Sequence, residues 1–86
     1  MPTCYEAYVD KGKINLDIVY DKPVDIYRII LEDDYYGTML YIYETPSSMQ
    51  PEWDYHYDNL EQAMDFCRRA YGIEKSQWKV IPCESI

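Results

Sequence analysis

The chain holds only eight lysines and arginines, against sixteen aspartates and glutamates. The resulting formal net charge of −8 argues against a nucleic-acid partner, because the phosphate backbone repels it. Glycine is also sparse, at three residues, and none lies in a glycine-rich loop able to cradle a phosphate. A single histidine leaves no second imidazole for a chelate. Three cysteines, Cys4, Cys67 and Cys83, show no paired spacing and leave one over, which reads as reduced thiols. No apolar run is long enough to span a bilayer, and no basic, apolar leader opens the chain. The expectation is therefore no membrane partner and a cytoplasmic location.

What is present fits one small folded unit. Eighty-six residues, 48% of them hydrophobic, suit a single domain over 1–86 with one modest core. Eleven tyrosines stand against one phenylalanine. Tyrosine is apolar along its ring and polar at its tip, so it suits half-buried strand surfaces and interfaces.

Residues 59–71 carry the helical signal. Asp58 is the expected N-cap, which puts Glu61 at the third helical position, where it can reach back as in a capping box. At 100° per residue, Leu60, Ala63, Met64, Phe66, Cys67, Ala70 and Tyr71 share one broad arc. Asp65 and Arg69 form a favourable pair four residues apart, and Arg68 and Arg69 suit the negative end of the helix dipole. Gly72 supplies a left-handed terminator, after which Ile73 can fold back onto Cys67. A helix of this length is marginal alone and needs a surface to lie on.

That surface must come from strands. Alternation predicts strands over 3–9 and 14–20, joined by a turn at Asp10-Lys11-Gly12-Lys13. Pro23 marks the next break, with Asp21 and Lys22 before it. Residues 24–32 are apolar on both sides, the mark of a central strand. A turn through Glu32-Asp33-Asp34-Tyr35-Tyr36-Gly37 leads to a strand over 38–44. Residues 45–51 read as a loop, 52–57 as a short extended piece, and 77–81 as a final strand that pairs at an edge. Connections this short favour antiparallel neighbours. The expected fold is α+β: an antiparallel meander of four to five strands with one helix on one face, in the order β-β-β-β-α-β.

Residue types that carry chemistry are few, and neither a catalytic residue nor a cofactor is expected. Glu52, Asp54, His56 and Asp58 alternate to one side of an extended segment, opposite Trp53, Tyr55 and Tyr57. Neighbouring residues on one strand face make a poor chelate, so this row reads as a solvated face rather than a metal site. Cys67, on the apolar arc, reads as core rather than nucleophile. The acidic run Glu32-Asp33-Asp34 lacks the spaced oxygen ligands of a calcium loop. Together with Asp17, Asp21, Asp25 and Glu44 it is expected to line one sheet edge and meet a basic protein. Lys11, Lys13 and Lys22 are expected near the edge, discouraging aggregation.

One helix covers only part of one sheet face. The opposite face is expected to keep Tyr27, Ile29, Leu31, Tyr41 and Tyr43, with Glu32, Asp33 and Asp34 beside them, as a partner-binding patch. The first functional expectation is a non-enzymatic protein–protein interaction module that self-associates as a homodimer. The layout of meander, capped helix and Trp-containing tail is similar to that of many small bacterial proteins, some of the immunity type among them. The second functional expectation is an inhibitor or immunity-type protein that turns its acidic carboxylates on a basic nuclease or nucleic-acid-binding partner.

Overall fold

A computed structural model describes residues 1–19, 23 and 25–83. Five strands, β1 (Thr3–Tyr8), β2 (Arg28–Asp34), β3 (Gly37–Tyr43), β4 (Trp53–Tyr57) and β5 (Lys79–Ile81), form one sheet, with helix α1 (Leu60–Tyr71) between β4 and β5. The spatial order is β4-β3-β2-β1-β5, and every pairing is antiparallel. The fold is thus the expected α+β meander with one helix packed on it. β2 is central, and Ile29, Ile30 and Leu31 are fully buried, one alternation on each face.

The β2–β3 hairpin turns through Tyr35-Tyr36, between the paired residues Asp34 and Gly37. Gly37 holds φ at +127°, and a Cβ there would sit 2.7 Å from the Tyr57 carbonyl oxygen. Glycine therefore lets β4 close against the hairpin. The register aligns Val80, Tyr5, Leu31, Leu40 and Tyr55 in one row and Ala7, Ile29, Ile42 and Trp53 in another. These rows face α1. Ala63, Cys67, Ala70 and Tyr71 are buried against them, with Leu60, Met64 and Phe66 partly so, as the helical arc requires.

The helix begins one residue later than expected. Asn59, not Asp58, is the N-cap, and its side-chain oxygen accepts the Gln62 N–H at 2.9 Å. Glu61 therefore misses the third position. Gly72 closes the other end at φ +68°; its N–H reaches the Arg68 carbonyl at 3.2 Å, and that of Ile73 reaches Cys67 at 3.3 Å. Asp65 accepts from both Arg68 and Arg69 at 2.9 Å.

Residues 14–19 are not a strand. Lys11–Lys13 form a 3₁₀ turn, and the Asn15 side chain accepts the Asp17 N–H at 3.0 Å. The Ile18 and Val19 N–H groups return to the Asn15 carbonyl at 3.1 and 3.2 Å. Local side-chain bonding has won over a ladder, and burial is reversed: Val19 is buried while Leu16 is 64% exposed. Tyr20 and Val24, expected in strands, lie outside the described residues, as do Asp21 and Lys22. The segment read as a short extended piece is the edge strand β4, so four strands still precede the helix. The strand expected over 24–32 starts at Arg28 and runs to Asp34.

Cys4 and Cys83 are joined by a disulfide, and Cys67 is the free cysteine, buried in the core. The expectation of three reduced thiols is thereby corrected. The sheet brings the pair together: Cys4 lies opposite Ile81 across the β1–β5 pairing, two residues before Cys83.

Candidate partner-binding surface

The face turned away from α1 is also organised in rows. Ile81, Cys4, Glu32, Met39 and His56 form the first, and Lys79, Glu6, Ile30, Tyr41 and Asp54 the second. Tyr8, Arg28 and Tyr43 form the third. The single helix lies on the other face. Even so, Cys4, Ile30 and Tyr43 are fully buried here, packed with Tyr41, Ile81 and Cys83.

Long side chains lying flat do the covering. The Arg28 guanidinium stands 4.0 Å over the Tyr43 ring and pairs with Glu6 at 2.8 Å. The Tyr41 hydroxyl donates to Glu32 at 2.9 Å. Burial first, and then this bond to a carboxylate, push the Tyr41 pKa up to about 12. Burial also raises that of Tyr43, whose hydroxyl finds no partner among the described residues, while Arg28 pulls it down.

The expected patch is only partly assembled. Ile29 and Leu31 are buried beneath the helix, because odd positions of β2 face α1; their place on the open face is corrected. Tyr43 is on the open face but concealed. Tyr41 and Glu32 are half-buried there, and Asp34 is exposed at its end, accepting the Tyr35 N–H at 2.7 Å. Asp33 turns to the helix side, where Thr38 donates to it at 2.9 Å. Tyr27 is exposed beyond the start of β2 and stacks edge-on with Tyr8, ring centres 5.3 Å apart.

The acidic residues do not line one edge. Glu32, Asp33 and Asp34 lie toward the hairpin, whereas Glu44 lies past the far end of β3. Asp25 pairs with Lys11, away from the hairpin, and Asp21 lies outside the described residues. Lys11 and Lys13 sit in the turn after β1 rather than on an edge strand. The row Glu52, Asp54, His56 and Asp58 does not converge either. His56 Nε2 lies 3.2 Å from the Tyr36 carbonyl, and Glu52 is held by the Glu44 N–H at 2.9 Å and the Ser48 hydroxyl at 2.7 Å. Those bonds hold the Glu52 carboxyl below its ordinary pKa.

Sequence reading passed over the hairpin tip, where Tyr35 and Tyr36 are 91% and 85% exposed and stack edge-on at 5.3 Å. Two adjacent tyrosines inside a turn were the available signal. Comparison of the chain with protein-family models, with curated proteins and with solved structures finds no match.

Proposed function

We propose that the chain is a small non-enzymatic protein–protein interaction module, and that it meets a basic protein partner through the sheet face turned away from α1. The observation that supports this reading is the charge left on that face. Glu32, Asp34 and Asp54 are in no ion pair among the described residues, and Tyr41 stands beside Glu32 and Asp54. Tyrosine gives contact area at low entropic cost, and unpaired carboxylates steer a cationic partner. With Ile29, Leu31 and Tyr43 withdrawn into the interior, the face suits a second acidic copy less well than a basic chain. An inhibitor of the immunity type, directed at a basic nuclease or nucleic-acid-binding protein, is one form of this reading.

Self-association is the second reading, supported by the exposed Tyr35, Tyr36 and Trp53. The test is affinity purification from the native host at low and high salt, followed by binding measurements with the purified partner. The expected partner is basic, with affinity that falls steeply with salt and weakens in Asp34→Asn/Asp54→Asn. An acidic partner, or binding that ignores both changes, overturns the proposal. Sedimentation equilibrium at micromolar concentration separates the two readings, since monomer alone removes the homodimer.

A further inference from the structure

We propose that Cys4, Cys83 and Glu32 bind a thiophilic divalent cation, of which zinc is the type, once the Cys4–Cys83 bond is reduced. The two sulfurs and a Glu32 carboxylate oxygen all lie within 4.8 Å of one another. Three separate stretches of chain bring them there. Cys4 on β1 stands opposite Glu32 on β2 and Ile81 on β5, and Cys83 follows β5 directly. Zinc binds thiolates at about 2.3 Å and carboxylates at about 2.0–2.2 Å, so the ligands of one ion stand roughly 3.5–4 Å apart. Side-chain adjustment alone closes that gap once the sulfurs are free to separate.

The surroundings fit an ion in three further ways. The Tyr41 hydroxyl donates to Oε1 of Glu32 at 2.9 Å, which orients the carboxylate and leaves its second oxygen to coordinate. Cys4 is fully buried and Glu32 and Cys83 are half-buried, so a cation held there is shielded from water and offsets the charge of the two thiolates that its own binding creates beside the carboxylate. A cleft of about 310 Å³, lined by Cys4 and Cys83 together with Pro2, Thr3, Val80 and Pro82, borders the cysteine pair and offers an ion a way in from solvent.

The chemistry balances with an external dithiol as reductant. Its two thiols become a disulfide and supply two electrons and two protons, which leave Cys4 and Cys83 as thiols. The cation then displaces both thiol protons to solvent and forms two metal–sulfur bonds. Three anionic ligands around a 2+ ion leave one net negative charge. Metal and disulfide are mutually exclusive, so bound metal protects the pair from reoxidation.

The experiment uses the full chain, reduced with a phosphine that is then removed, and titrated with Co²⁺ followed by Zn²⁺. One equivalent of cobalt is expected, with a thiolate-to-cobalt charge-transfer band that zinc abolishes. The band is lost in Cys4→Ser and in Cys83→Ser. Affinity falls at least about tenfold in Glu32→Gln, and about 10–100-fold in Tyr41→Phe. Zinc raises the melting temperature of the reduced chain and leaves that of the oxidised chain unchanged, which keeps the test decisive even where reduction loosens the fold. No bound metal on the reduced chain, a band that survives in Cys4→Ser, or unchanged affinity in Glu32→Gln overturns the proposal.

Discussion

Ile30 and Leu31 are neighbours in β2 and both are fully buried, yet different things cover them. Leu31 lies under a helix whose apolar arc is presented ready-made. Ile30 lies under cross-strand side chains: Tyr41 and Tyr43 laid along the sheet, beside a disulfide and an Arg28–Glu6 ion pair. A second layer conceals a face with dispersion and the hydrophobic effect. A face without one depends on ties that hold long polar side chains flat, and it keeps their charged ends at the surface. The same sheet therefore has one side closed by a second layer and one whose polar side-chain ends stay at the surface.

The largest expected effect breaks the tie at the edge of the open side. The bonded cysteines are 79 residues apart, and closing a loop of that length restrains the unfolded chain by about 4–5 kcal/mol in loop-closure entropy. Urea unfolding with and without a phosphine, or of the Cys4→Ser/Cys83→Ser variant, measures the loss. On the helix side, Leu31→Ala should cost about 2–5 kcal/mol, read as a shift in urea midpoint. Ile30→Ala should fall at the lower end of that range, because flat side chains can settle into the gap. Equal costs would mean that both covers are equally rigid.

Arg28→Ala tests the ionic tie. It should cost about 1–3 kcal/mol, since it leaves the Glu6 carboxylate half-buried without its partner. Asn59→Ala should cost about 1 kcal/mol through the lost cap, and Asp58→Ala much less, by thermal unfolding.

The finest test uses two tyrosines with similar titration and different causes. Tyr57, on the helix side, is pushed up to about 12 by burial; Tyr41 reaches about 12 through burial and Glu32 together. Both folded values lie above the ordinary 10.0, so the stability they contribute is complete below pH 10 and is lost as pH rises toward 12. Tyrosinate absorbance should show Glu32→Gln lowering the titration of Tyr41 and leaving that of Tyr57 in place.

Much of this architecture was legible in the residues. The helix announced its arc and its glycine stop, and the doubly apolar run before Glu32 announced a central strand. The N-cap was missed by one position because Asp58 and Asn59 are both good caps. Residues 14–19 misled because a short alternating run also fits a coil knotted by Asn15, whose side chain competes with any strand partner. Which of Ile29, Ile30 and Leu31 faced the helix depended on register, and two apolar sides carry no sign of parity. The cysteine pair was hidden for another reason. Its spacing carries no signal, and only the pairing of β5 beside β1 brings Cys83 to Cys4.

That last pairing also sets how the molecule bears mechanical load. Tension applied outside Cys4 and Cys83 travels through a covalent ring closure, and the ladder between β1 and β5 carries almost none of it. Stretched in an optical trap, the oxidised chain should refuse to lengthen, and a trace of reductant should let the whole sheet unravel.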